Sequence, residues 1–341
     1  GRLTATSGAD GYFALSHVPT VQTLLTLSST ATAEGFTVFA NAKRAPVLGG
    51  LTDFGDVILS GNLTLSGNVS GSLVPILSPY RVTADLTVPA GQTLTLPAGT
   101  IIKFPAAAKM TVSGSLITQG SNARPVYLTS LADDSIGGDS GADGLTFGAP
   151  GQWGSLIYQN AAPAAKLATS TVRFGETVSV LAGSATFENT VFSSMSASAM
   201  RLAPNAMVSG QGNRAFGSPI NGIDVTAGNI SSAVTWRQVG LPYVVRGQLN
   251  VSANLTVEAG AVVKLRGFPA TTGSFGVLTS GGPLAGITVN SGRLRALGTA
   301  ASPIYFTSLR DDSVGGDTNG DGAAGAPLAG DWNGITLVNP S

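Results

Sequence analysis

The most acid-rich stretch of the chain is DDSVGGDTNGDG at 311–322, which sets four aspartates and an asparagine among four glycines. A close copy, DDSIGGDSGADG, occupies 133–144. Carboxylates at this density on a tight turn suit a hard divalent cation such as calcium, which binds through oxygen. Asp317, Asn319 and Asp321, followed by Gly322, reproduce the first half of the D-x-[DN]-x-[DN]-G calcium loop. Alternate residues on such a turn aim their oxygens inward, and the glycine permits the bend. Asp311 and Asp312 are near enough in sequence to add ligands. The second half of an EF-hand loop is missing: its closing glutamate position is Leu328, with Asp331 as a distant substitute. In the first copy Asp133, Asp134, Asp139 and Asp143 are kept, but Gly141 replaces the middle ligand, so a calcium site there is expected to be the weaker one. The competing reading is a solvated loop whose aspartates cap their own backbone N–H groups.

Catalytic readings of the same residues are less favoured. A glycosidase needs two carboxylates held across a groove, whereas these lie side by side in one loop and recur in a second. Lys103 and Lys264, the candidate bases of a lyase, end matched A-G-x-x-x-K stretches, which points to architecture. The single histidine, His17, has no marked partner for a nucleophilic set. Trp153 and Trp332 follow the two loops at matched positions and are expected to pack each loop onto the body of the protein, with sugar stacking as the alternative. Trp236 precedes the second copy and is expected to pack at the junction. These residues point away from an enzyme, with a carbohydrate-active (lyase- or glycosidase-like) or carbohydrate-binding protein as the alternative.

The elements that must position these loops are read from internal repetition. LTLPAGTIIKF (94–104) matches LTVEAGAVVKL (255–265), GQWGSLIYQN (151–160) matches GDWNGITLVN (330–339), and the order is the same in both copies. A unit of roughly 160–180 residues thus occurs twice, at about 75–240 and 241–341, with an insertion near 266–286 in the second. Between the copies, short apolar stretches with Asn, Gly or Ser at the corners return about every 18–24 residues, without hairpin signals, which fits stacked coils better than an antiparallel sandwich. Asn189, Asn213 and Asn229 are expected to stack at corners or to take left-handed backbone angles.

Composition bounds the rest. Only 11% of residues are charged and the formal net charge is zero, which argues against nucleic-acid binding. No apolar stretch is long enough for a transmembrane helix. There is no cysteine, so disulfide and thiolate chemistry are excluded. The start lacks the features of a signal peptide.

The stretch from PYRVTADLTV through VYLTSLADDS resembles the right-handed parallel β-helix repeats of large bacterial surface and secreted proteins, which carry phrases like FTSLRDDSVGGDTNGDG at 306–322. The first sixty residues differ. SGADGYFALSHVPT (7–20) and GGLTDFGDVILS (49–60) resemble part of a carboxypeptidase-regulatory-like domain, a small transthyretin-like β-sandwich, with Asp10, Gly11, Tyr12 and Phe13 as its turn and aromatic strand. Its opening strands would lie before residue 1. Together the resemblances imply an all-β chain: a partial β-sandwich over 1–60, then a right-handed parallel β-helix over 61–341. They further imply an extracellular, cell-surface location and a structural or adhesive role, stabilised by calcium, with self-association into a filament or layer and carbohydrate as a possible ligand.

Overall fold

The computed structural model describes residues 3–33, 36–55, 57, 59, 61, 63–160, 165–267, 271–272, 278–279, 284–322 and 324–338. The architecture is all-β; among the described residues there is no α-helix, and one 3₁₀ turn spans Pro75–Leu77. From residue 64 onward, outside the insertion at 266–286, every described strand pairing is parallel and joins strands of successive coils. Val178 lies opposite Met200, Met200 opposite Ile223, and Ile223 opposite Tyr243. An antiparallel sandwich over this region is thereby excluded, and the period expected from the sequence is the period of the ladders.

Alternation explains why these short stretches stack. In the strand Thr93–Pro97, Leu94 and Leu96 point inward and are fully buried, while Thr95 does not. Leu116, Ala165, Ala185 and Val208 continue the buried column from Leu94 coil after coil. No single coil could bury such a face alone, so burial requires the neighbour above and below. Aromatic pairs fill the wider parts of the bore: Phe104 stacks on Trp153 with ring centroids 4.5 Å apart, and Trp236 on Tyr243 at 5.0 Å. Both tryptophans are almost fully buried; Trp332 is half-buried against the same core. The packing role expected for all three is what their positions provide.

Three faces run along the first part. Face A stacks Ile101–Phe104, Val126–Ser130, Ser170–Arg173, Val191–Ser193 and Arg214–Phe216. Face B stacks Met110–Val112, Leu156–Tyr158, Val178–Val180, Met200–Leu202 and Ile223–Val225. The long strand Tyr80–Val88 serves both, pairing at one end with Ile102–Lys103 and at the other with Met110–Val112. Face C runs from Thr93–Pro97 to Met207–Ser209.

The faces then change. The face A ladder ends at Arg214–Phe216, and a new face D begins at Gly228–Ile230, continuing through Gln248–Val251, Gly286–Val289 and Ile335–Leu337. Val234–Trp236 lies beside Met207–Ser209 and carries face C onward through Asn254–Glu258 and Arg293–Leu297. Face B alone is a continuous hydrogen-bonded ladder through the change, through Tyr243–Val245 and Val262–Leu265 to Tyr305–Ser308. Two strands of each repeat therefore change face between the copies: Ile101–Phe104 is on face A and its counterpart Val262–Leu265 on face B, Met110–Val112 on face B and its counterpart Gly286–Val289 on face D, while Thr93–Pro97 and Asn254–Glu258 share face C.

Asparagines bridge the change. The side-chain amide of buried Asn213 donates to Phe187 O and Val239 O, both at 2.8 Å, and its Oδ1 accepts from Thr190 N. Asn205 Oδ1 accepts from the backbone of Ser231 and Ser232, and its amide donates to Asn229 O. Asn189 takes the left-handed backbone, φ 47°.

Before residue 61 the regular strands among the described residues are Leu25–Ala33 and Phe36–Arg44, an antiparallel pair. The expected turn at Asp10 and Gly11 forms, with Asp10 Oδ1 accepting from Tyr12 N, but no strand follows it and Tyr12 is exposed. His17 is exposed and has Ser16 Oγ beside its ring nitrogen. Asp56, Ile58, Ser60 and Asn62 lie outside the described residues, as does most of the insertion at 266–286, of which Thr271–Thr272 and Leu278–Thr279 pair antiparallel.

Replacing Asn213 by Ala strands three buried backbone groups at once. Chemical unfolding of Asn213→Ala is expected to show a loss on the order of 3 kcal/mol, and of Asn205→Ala, whose partners water can reach, under about 1 kcal/mol. Equal losses would show that Asn213 is not the bridge.

Candidate metal centre

Both aspartate loops leave the body between a T-S-ending strand and a short strand on the next face: the first between Val126–Ser130 and Leu156–Tyr158, the second between Tyr305–Ser308 and Ile335–Leu337. Each folds back over earlier coils. Gly137 sits against Pro79 and Ile101, and Gly315 against the matching Pro242 and Val262. Gly137, Gly138, Gly315 and Gly316 all have φ near 70°, a backbone that glycine adopts without strain.

A lysine from the underlying sheet pins each loop. Lys103 Nζ donates to Gly138 O at 2.5 Å and Lys264 Nζ to Gly316 O at 2.6 Å; both side chains are fully buried. Burial lowers Lys103 to about 8, against the pull of Asp134 and Asp133, and lowers Lys264 below the ordinary lysine value, against Asp312 and Asp311. The matched lysines thus each tie a loop to the strand beneath it. Further back, Asn221 N donates to Thr318 O at 2.7 Å, and Lys43 of the N-terminal hairpin donates to Ala142 O at 3.1 Å.

In the first loop the carboxylates are spent separately. Buried Asp133 accepts from Thr129 and Ser135 hydroxyls and pairs with Arg173 at 2.6 Å. Arg173 in turn lies over the rings of Tyr127 and Phe174. Asp134 Oδ2 accepts from both the N–H and the hydroxyl of Thr146, at 2.7 and 3.0 Å. Asp139 accepts from the backbone of Asp143 and Gly144, the turn-capping use of such a residue, and Asp143 is exposed.

The second loop gathers its acids. Asp312, Asp317 and Asp321 each offer an oxygen, and these oxygens lie within 4.8 Å of one another. Both Asp312 oxygens are buried without a hydrogen-bond partner, as is Asn319 Oδ1. Burial and the negative charge of Asp317 push the Asp312 carboxyl above its usual range. Asp317 also caps the turn, accepting from Gly320, Asp321 and Gly322 N. Asp311 stands outside the cluster: its oxygens accept from Ser313 and Thr307, which hold its carboxyl below the usual range. Asp331 is also elsewhere, buried on Ser308 Oγ and Leu328 N.

Two substitutions between the copies lie at the points of difference. Thr146, which holds Asp134 by its N–H and hydroxyl, corresponds to Ala324, which has no hydroxyl and whose N–H donates to Asp321 O, so neither reaches Asp312. Gly141 corresponds to Asn319, which turns its amide to Asp321 and leaves its oxygen buried and free. The sequence did not point to Thr146 or Arg173, because their partners are reached through the fold and not through local spacing. Asp224, buried and paired with Arg246 on the next coil of face B, was likewise invisible. No protein-family model, curated protein or solved structure matches the chain.

Lys264→Ala leaves the Gly316 carbonyl without its charged donor, and is expected to cost about 1.5–3 kcal/mol in urea unfolding. The lysine also sets a pH dependence. Its folded-state value is lowered, so above that value the unfolded chain holds the proton that the folded chain has released. Its contribution to stability therefore rises with pH from there to about 10.5. Buried Tyr158 and Tyr243, both pushed upward by burial, act oppositely near pH 10, so the comparison is with Lys264→Met, which keeps them. Wild-type and Lys264→Met stabilities that stay parallel through the alkaline range would refute the assignment.

Proposed function

We propose that the chain is a structural or adhesive segment of a large extracellular bacterial protein, a right-handed parallel β-helix that calcium stiffens through its second aspartate loop. The observation that carries the calcium reading is Asp312, whose two buried oxygens lack any donor while Asp317 and Asp321 crowd the same point. Three like charges this close repel, and an unpaired buried carboxylate is costly. A calcium ion removes both penalties and gives Asn319 Oδ1 a partner. Asp312, Asp317, Asp321 and Asn319 would hold it, with backbone oxygens or water completing the shell. A site with few carboxylates on a loop suits the weak, extracellular end of calcium affinities, which supports the location at the cell surface.

The role is mechanical. The loop runs from Tyr305–Ser308 back to Asn221, so fixing its shape clamps successive coils together. The carboxylates of the cluster belong to one loop, not to opposite walls of a groove, which favours a structural role over glycoside cleavage.

Calcium at about 100 times its dissociation constant is expected to stabilise the fold by about 2.7 kcal/mol, read as a rise in melting temperature that EDTA reverses. Asp317→Ala and Asp321→Ala should each abolish the rise, and Asp139→Ala in the first loop should leave it intact. A melting temperature indifferent to calcium and EDTA removes the metal from the proposal.

A further inference from the structure

We propose that Lys103 and Asp134 join in an intramolecular amide bond that ties the first aspartate loop covalently to face A. Lys103 Nζ stands 3.9 Å from Asp134 Oδ1, and the two side chains are only 0% and 2% exposed. The carboxyl is asymmetrically held. Oδ2 accepts two hydrogen bonds from Thr146, at 2.7 and 3.0 Å, while Oδ1 is buried with no hydrogen-bond partner. The lysine is aimed by its 2.5 Å bond to Gly138 O. An amine, a carboxyl carbon and a pair of donors on one carboxyl oxygen are thus enclosed together.

In water an amine and a carboxylic acid exchange a proton and do not condense. Burial opposes both charges. It lowers Lys103 to about 8 and raises Asp134 above its ordinary value, which favours the neutral amine and neutral acid that the reaction consumes. Neutral Nζ attacks Asp134 Cγ, the N–Cγ bond forms, and the carbonyl electron pair moves onto Oδ2. The N–H and hydroxyl of Thr146 already donate to that atom, as oxyanion-stabilising groups must. As the electron pair returns, the Cγ–Oδ1 bond breaks. Oδ1 departs as water, carrying the carboxyl proton and one proton from Nζ. Nothing is oxidised or reduced, and no other reactant is consumed. Enclosure supplies the proximity that makes such a step intramolecular and keeps water from reversing it.

The second copy is an internal comparison. Lys264 is buried in the same way, but Ala324 stands where Thr146 would be, and Asp312 turns to Asp317 and Asp321. Among the described residues no ion pair joins Asp312 to Lys264. The bond is therefore expected in the first copy alone.

The test is the intact mass of the purified, folded full chain, measured after denaturation. The expected mass is one water below that of the sequence. Tryptic digestion should leave Lys103 uncleaved and joined to the peptide that carries Asp134. Lys103→Arg should restore the full mass, and Thr146→Val should lower the fraction of bonded chains. A native chain at its full sequence mass, with Lys103 and Asp134 recovered in separate peptides, overturns the proposal whether or not the variants fold. So does a loss of water mapped to Lys264 and Asp312, because it would show that Thr146 is not needed.

Discussion

Parallel backbone pairing between each strand and the strand one coil later is the constraint on which everything else in this protein rests. It forces every coil to present apolar side chains to a shared interior, and it leaves the chain few places for charge. A fully buried Val or Leu contributes about 1.5–3 kcal/mol, and the bore holds dozens of such residues from Val82 to Ile287. Buried ion pairs, by contrast, come close to cancelling their own desolvation. Asp133 with Arg173 and Asp224 with Arg246 therefore fix where segments lie more than they hold the rod together. The same holds for the two lysines under the aspartate loops. Each costs free energy to bury, and each determines which carbonyl, Gly138 O or Gly316 O, the loop must bring to it.

Much of the fold was legible because periodicity is a local signal. The recurrence of short apolar stretches near every twentieth residue is the spacing of the ladders, and the matched order of LTLPAGTIIKF and LTVEAGAVVKL marks two copies of one unit. The change of faces was not legible. It depends on which corner widens into a strand, and Gly228–Ile230 offers no more strand character than the corners before it. The aspartate loops were found by composition, but composition could not separate their fates. Whether an aspartate meets another aspartate, a threonine or an arginine is decided by contacts such as Asp133 to Arg173 and Asp134 to Thr146, made across a coil or across the loop itself.

The contrast between the loops shows how few changes redirect a repeated element. Both begin from a buried lysine, a pair of adjacent aspartates and a glycine pair at positive φ. Across the exchange of Thr146 for Ala324 and of Gly141 for Asn319, the second aspartate of the pair goes from Asp134, held by the Thr146 N–H and hydroxyl, to Asp312, in an acidic cluster. The framework beneath, from Pro79 to Pro242 and from Ile101 to Val262, is otherwise kept.

The move of the loop-bearing strand from face A in the first copy to face B in the second has a consequence for how the rod would bear load. One strap starts from face A and is anchored over the early coils; the other starts from face B and is anchored over the later ones. Ties on a single flank would stiffen a mast against leaning one way only, whereas ties set around the circumference resist bending about more than one axis. For the same reason a flat surface laid along the rod would meet one strap and miss the other, so the two sides of this chain are not interchangeable to anything that touches it.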